Sequence, residues 1–410
     1  MMSCTQHQPT VMILMLSLLS TAGGPAASAA RAERPTREVA QVIAGNTRFA
    51  LDLYGRLRDR DGNLALSPYG ISTALAMTYA GARGETARQM ADVLHFDLPR
   101  EDLHAAFAGM MAADRAAAEA GGYEFHLANA LWGQQSYDFL GDYLDLTHRH
   151  YGAGLREVDF VHAAEQARQA INAWVAEHTA DQVRELIHRG ELTSDTTLVL
   201  ANAIFFQGDW SSRFAPRHTR KGPFRINAEQ QVDVPMMWQA GQFRCGWFED
   251  LAVLELPYDG DRLAMVILLP ADAGGLAAVE ESLAPQSLER WLGAGRTQPV
   301  RVTLPRFQLD TRFNLADTLQ ALGMTEAFAG GRADFSGMTG RRELFLSLVI
   351  HQARIEVDEA GTEAAAGTGV VLKRGSPPPD FTADHPFLFL VRDRQTGAIL
   401  FLGRVMDPRG

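Results

Sequence analysis

The side chains able to do covalent chemistry are scattered along this chain rather than gathered into local patterns. It has no Gly-x-Ser-x-Gly elbow to expose a nucleophile, no His-Glu-x-x-His or Cys-x-x-Cys to hold zinc, and no Walker loop to cradle phosphate. A triad can be assembled from distant residues, so serines, histidines and aspartates that are merely present decide nothing. His148 and His150 are two apart, a spacing that puts them on different faces of a helix, and read as a surface pair rather than a metal site. Gly367-Thr368-Gly369 lacks the third glycine that opens a helix in a phosphate loop and reads as flexible loop. No catalytic residue, metal ligand or cofactor is assigned.

The chemistry on offer is that of a segment to be acted upon. Val349 to Val357 alternates as a strand does and continues without a turn signal through Asp358-Glu359-Ala360-Gly361-Thr362-Glu363, so the strand is expected to run on. Along it Thr362, Ala364, Ala366 and Thr368 share one uncharged face, and Glu363, Ala365, Gly367 and Gly369 share the other. A face of small uncharged residues can be laid between existing strands and buried, which a charged or bulky face would resist. An ordinary surface loop with no charge on one face fits these residues equally well. Further on, Lys373-Arg374 is a basic pair inside the low-complexity stretch Gly361 to Pro379, a site that invites trypsin-like proteases.

The elements that must carry this segment come from a chain of 410 residues, 46% hydrophobic and 21% charged, enough for a large core. Its net charge of −11 is the wrong sign for binding nucleic acid through phosphates. Val11 to Leu19 followed by Ala27-Ser28-Ala29 reads as an export signal cut after Ala29, although no Lys or Arg precedes it; a buried helix start is the alternative. Removing it takes Cys4 and leaves Cys245 alone, so no internal disulfide is expected. No other apolar run approaches the ~18 residues of a membrane span.

Helical spacing covers Val39 to Leu57, a segment capped by Ser67-Pro68, one capped by Thr86, Tyr143 to Tyr151, Ala163 to Ile187, Leu276 to Trp291 and Leu315 to Phe328. Strands are expected at Leu64 to Leu66, Tyr123 to Gly133, Thr197 to Phe206, Ala252 to Pro257 and Leu263 to Leu269. Further strands are expected at Val300 to Leu309, Leu348 to Val357, Phe387 to Val391 and Ile399 to Val405. Irregular alternation, no repeat and no linker indicate one α+β unit.

Four stretches resemble the signatures of the serpin family: Asn63 to Met77, Asn202 to Trp210, Asp358-Glu359-Ala360-Gly361-Thr362-Glu363-Ala364-Ala365-Ala366, and His385-Pro386-Phe387 with Leu400 to Val405. They fall in register from about 39 to 408. The resemblance implies an α+β serpin fold: a large central β-sheet, two smaller sheets, surrounding helices and an exposed reactive-centre loop at about 359–383. The domains would be a leader at 1–29, a polar arm at 30–38 and a single serpin domain at 39–408. The function implied is suicide inhibition of serine proteases, in which the cleaved loop inserts into the sheet and traps the acyl-enzyme; the chain would be an inhibitor, not an enzyme.

In that family the hinge would be Glu359, Gly361, Thr362, Glu363, Ala364, Ala365, Ala366, Gly367 and Thr368. Ser67, Asn202 and His351 match a hydrogen-bonding cluster under the sheet's opening, and Trp210, Arg306 and Glu359 the upper region where the loop enters. Gly70 departs from the serine often found there, and Gln207 from the usual lysine. Family spacing puts the scissile bond at Gly375–Ser376, whereas side-chain chemistry prefers Arg374–Gly375, with Leu372 as the fallback for chymotrypsin- or elastase-like enzymes. The expected partner is a trypsin-like, elastase-like or subtilisin-like serine protease, met by a secreted (extracellular or periplasmic) monomer of prokaryotic type without nucleic acid or membrane. The helices between Leu98 and Gly121 lack a basic cluster, so no heparin-type cofactor is expected. The competing readings are a non-inhibitory serpin acting as a binding or chaperone-like protein, and a hydrolase with a scattered triad.

Overall fold

The computed structural model describes residues 35–119, 121–152, 154–359 and 377–410. The expected leader and the loop residues Gly361 to Ser376, with Arg374 and Gly375, lie outside them.

Ten α-helices are described: α1 (Arg37–Leu57), α2 (Pro68–Gly81), α3 (Gly84–Leu94), α4 (Arg100–Glu119), α5 (Gly141–Tyr151), α6 (Phe160–His178), α7 (Leu276–Glu281), α8 (Pro285–Ala294), α9 (Ala316–Ala321) and α10 (Ser336–Thr339). The strands are β1 (Leu64–Leu66), β2 (Tyr123–Gln134), β3 (Arg156–Val158), β4 (Leu198–Gly208), β5 (Arg220–Arg225), β6 (Gln231–Trp247), β7 (Leu251–Pro257), β8 (Leu263–Pro270), β9 (Arg296–Pro305), β10 (Phe307–Asn314), β11 (Leu346–Val357), β12 (Asp380–Thr382), β13 (Phe387–Asp393) and β14 (Ile399–Val405).

Helix α2 shows why the local sequence folds as it does. The Ser67 hydroxyl accepts from Gly70 N–H at 3.0 Å and Pro68 opens the first turn, where its missing N–H costs nothing. The helix is buried on nearly all sides, which its small residues permit.

Several boundaries differ from the sequence reading. Helix α1 begins at Arg37, with the Thr36 hydroxyl accepting from Val39 N–H, so Arg37 and Glu38 belong to the helix and not to a polar arm. Thr86 does not cap α3 but sits inside it, buried, accepting from Asp334 N–H at 2.9 Å. Helix α6 stops at His178 rather than running to Ile187, because Thr179 donates to Val175 C=O and accepts from Val183 N–H while Ala180 and Asp181 take positive φ. Leu276 to Trp291 is two helices, the second restarted by Pro285. Leu315 to Phe328 is α9 and a 3₁₀ turn, separated by Gly323 at φ +117°. Val300 to Leu309 spans two strands that change sheets at Arg306, whose N–H donates to Pro235 C=O. β11 ends at Val357, and Asp358 and Glu359 bend instead of continuing it. At the loop's other end β12 is already strand, three residues inside the expected loop.

Two sheets hold the molecule together. One has the order β10-β11-β4-β2-β3, with β4 and β11 at its centre. The other runs β1-β14-β13-β8-β7-β6-β9-β12, with β5 on β6. The two smaller sheets expected from the sequence are therefore one hydrogen-bonded path. The reason is the length of β6, 17 residues, which pairs β5 with its first part and β7 with its last while β9 follows its other edge. Between the two sheets lies a core of Ile204, Phe206, Ile355 and Val357 against Leu254, Ile267, Phe389 and Phe401. Helix α6 covers the outer face of the five-stranded sheet through Ile171, Trp174 and Val175.

Candidate functional site

The centre of the five-stranded sheet is a parallel pair. β4 and β11 run side by side in the same direction, with His351 opposite Asn202, whereas β2 meets β4 antiparallel, with Asn129 opposite Asn202. Parallel ladders are slightly less stable per residue. Past Glu359 the next described element is β12, in the other sheet. A segment folding down from Glu359 between β11 and β4 would run antiparallel to both, exchanging one parallel ladder for two antiparallel ones.

A closed ring of hydrogen bonds lies across this seam. Ser67 N–H donates to His351 Nε2 at 3.1 Å, which makes Nε2 the acceptor and leaves the proton on Nδ1. His351 Nδ1–H donates to Asn202 Oδ1, and Asn202 Nδ2 donates to Asn129 Oδ1. Asn129 Nδ2 donates to Gly70 C=O at 3.3 Å, and Gly70 N–H returns to the Ser67 hydroxyl at 3.0 Å. All five residues are buried. Complete burial pushes the His351 imidazole down to about 3, because no solvent stabilises its charged form. The departure at Gly70 suits this ring: a Cβ there would meet Asn202 Nδ2 at 3.0 Å, Leu127 Cδ1 at 3.1 Å and Ser67 Oγ at 3.2 Å. Asn129 was missing from the sequence-derived cluster. Its one signal is an amide between Ala128 and Ala130 in an otherwise apolar strand interior.

The upper end of β11 is tied by a second group. Trp210 Nε1–H donates to Asp358 C=O at 2.9 Å, and the indole stacks on Tyr258 with centroids 4.5 Å apart. The Glu359 carboxylate, only 12% exposed, pairs with Arg306 Nε at 3.2 Å and accepts from the Thr219 hydroxyl. Thr219 also escaped the sequence reading, since nothing local marks a threonine 140 residues away as a partner of Glu359. Gln207, which departs from the family's usual lysine, lies in register between Glu124 on β2 and Glu356 on β11.

Nothing in this arrangement is set up for hydrolysis. The Ser67 hydroxyl is held by Gly70 N–H, and His351 spends its acceptor on the Ser67 backbone, not on the hydroxyl. Among the described residues no group of His, Cys, Asp and Glu could hold a metal, and burial pushes the Cys245 thiol up to about 12.

The described residues thus hold a central sheet with a parallel pair at its middle and a buried, neutral polar ring across it. Residues 44–408 match the family model Serpin (serine protease inhibitor), and the chain belongs to the serpin family. It is 43% identical over 386 residues to the leukocyte elastase inhibitor of Bos taurus, covering 90% of this chain and 100% of the relative. With that of Homo sapiens it shares 42% over 385 residues, at the same coverage. Among solved structures, uncleaved ovalbumin matches with a TM-score of 0.83 at 30% identity, and maspin with 0.84 at 28%, each covering 90% of this chain and 100% of the other. The chain is accordingly a serine protease inhibitor, not an enzyme, and its partners are serine proteases. These relatives are mammalian, which gives the expectation of a prokaryotic-type member no support.

Proposed function

We propose that this protein traps its target by admitting the cleaved loop between β4 and β11. The observation that carries this is the parallel pairing of those strands beneath the point where the chain leaves β11. Ser67, Asn129, Asn202 and His351 act as the bolt that holds the seam shut in the intact protein. Trp210, Thr219 and Arg306, through Asp358 and Glu359, hold the top of β11 where insertion starts. Thr362, Ala364, Ala366 and Thr368 form the inserted face, and their lack of charge lets them be buried without a partner.

For the reactive bond we take Arg374–Gly375, cut by a trypsin-like enzyme whose acidic pocket pairs the guanidinium, with Gly375–Ser376 the alternative. The naming of the mammalian relatives as elastase inhibitors favours a second specificity, with Leu372 as the residue presented to an elastase-like enzyme. The apolar run Val11–Leu19 and Ala27-Ser28-Ala29 support export, so that the working protein is a secreted monomer starting near Ala30. One experiment tests the reading: incubation with trypsin-like and elastase-like proteases, followed by denaturing electrophoresis and mass spectrometry of the released carboxy-terminal fragment. A denaturant-resistant complex with a fragment beginning at Gly375 is expected. Clean loop cleavage without a complex would mark a non-inhibitory member.

A further inference from the structure

Residues 213–225 carry Arg213, Arg217, His218, Arg220, Lys221 and Arg225 and no carboxylate, in a chain of net charge −11. They form a 3₁₀ turn at Pro216–His218 and the strand β5, which pairs β6 on one side only among the described residues. Arg225 is committed to Asp384 at 3.1 Å, and the neighbouring Glu359 to Arg306 and Thr219. Arg217, Arg220 and Lys221 are exposed, and none pairs with a described carboxylate. Trp238 of β6, 37% exposed, stacks on the His218 ring with centroids 4.5 Å apart and planes at 13°.

Charges on an edge strand commonly serve to prevent pairing with other chains. That purpose accepts either sign and explains neither the run of one sign through the preceding turn nor the exposed indole. Position does explain them. Thr219, between His218 and Arg220, holds Glu359, where the loop leaves β11. On the other side of β6 lies β9, which pairs β12, where the loop ends. The patch therefore lies between the two roots of the loop, under any body seated upon it. Exposed Trp with Arg is also the composition of energetic anchors at protein interfaces.

We propose that Arg217, Arg220 and Trp238 form a second docking surface for the target protease, which receives an acidic segment of the protease surface; Lys221, next to Arg220 on β5, lies on the other face of the sheet. The surface rests on the inhibitory reading above and sets which proteases are met fastest. Opposite charge accelerates encounter and is screened by salt, while the indole contact slows release. Two cations with no partner among the described carboxylates and a neutral ring suit a protein face better than a polyanion, whose affinity comes from many charge pairs.

The test is reversible binding, by surface plasmon resonance, to an anionic and a cationic trypsin isoform whose active-site serines are replaced by alanine. Wild type is compared with the double variant Arg217→Glu, Arg220→Glu, with Arg217→Glu alone in case the double misfolds, and with Trp238→Ala. At about 50 mM salt the double variant is expected to associate about fivefold more slowly with the anionic isoform, with the difference largely lost by about 300 mM. With the cationic isoform it associates as fast or faster, and Trp238→Ala raises dissociation. The proposal is overturned if wild type does not bind the anionic isoform, if the charge variants bind it unchanged, or if both isoforms lose equally. Loss of heparin binding with unchanged trypsin rates would overturn it in favour of a polyanion site. If the active isoforms form no covalent complex while these rates behave as expected, the inhibitory reading fails and the docking surface stands.

Discussion

The ladder between β8 and β13 and the ladder between β4 and β11 are both buried, yet they are built for different ends. β8 meets β13 antiparallel, with Leu268 opposite Leu388, Ile267 opposite Phe389 and Val266 opposite Leu390. β4 meets β11 parallel, with Asn202 and His351 paired in its interior and joined through Asn129, Gly70 and Ser67 into a closed ring. Apolar side chains packed across an antiparallel ladder gain nothing by separating. A parallel ladder bridged by neutral polar groups can be parted and replaced by two antiparallel ones. The nine-stranded sheet is the frame, and the five-stranded sheet is the part that changes.

The largest effect that could break this contrast lies on the incoming strand. Thr362→Arg should convert the inhibitor into a substrate, with the covalent complex lost on a denaturing gel, because the charge would be buried without a partner. Glu363→Arg, on the opposite face, should retain the complex. Equal behaviour of the two would refute the assignment of faces.

Next comes the ring itself. Asn202→Leu strands the His351 Nδ1–H and Asn129 Oδ1 in the interior, at about 1–3 kcal/mol for each unpartnered group. The midpoint of urea unfolding of the intact protein should fall accordingly. Ile267→Val in the other ladder should cost only ~0.5–1.5 kcal/mol by the same assay and leave inhibition intact. A reversed ranking would remove the distinction between the two sheets.

These partners also mark how much the sequence could reveal. Ser67 and Asn202 were legible because each sits in a long motif, His351 through the family resemblance alone, and most strands and helices because their apolar spacing is strong. Asn129 and Thr219 were not, since they act through partners 73 and 140 residues away and carry no local signal. β5 and β6 were missed because their charges and glycines mask the alternation, for example Arg220-Lys221-Gly222-Pro223. The break at Arg306 was hidden inside a continuous apolar–polar pattern that serves two sheets in turn.

A smaller effect separates two titrating groups, the fully buried His351 and the partly buried Asp114. His351 sits near 3 in the folded protein against 6.5 for a free imidazole, so between those values the unfolded chain binds the extra proton. Its contribution is complete above pH 6.5 and is lost as pH falls, about 2 kcal/mol between pH 7 and 5. Asp114, between Tyr69 and Arg262, is pushed up to about 6 chiefly by burial. Its folded state binds the extra proton, so its contribution is present at low pH and lost as pH rises through 6, with opposite sign and about 1 kcal/mol over the same interval. Urea midpoints at pH 7, 6 and 5 should therefore fall less steeply for His351→Gln than for wild type, and more steeply for Asp114→Asn. Parallel profiles for all three proteins would contradict this.

Smallest is Gly70→Ser, which restores the residue that the family often carries. Its Cβ presses on Asn202 Nδ2, Leu127 and Ser67, and Asn202 is fixed by the ring, so the intact protein should lose about 1 kcal/mol in the urea assay. A gain in stability would mean that the ring rearranges to accept the hydroxyl.

The central claim is that the closed seam between β4 and β11 opens to admit the loop. Its most direct test is the thermal unfolding of the intact protein against the same protein cleaved once in the loop by a catalytic amount of protease. Insertion adds a strand at the seam and relieves the strain that the intact form retains, so the cleaved protein should melt well above the intact one. A cleaved protein that melts at or below the intact one would show that the seam stays shut.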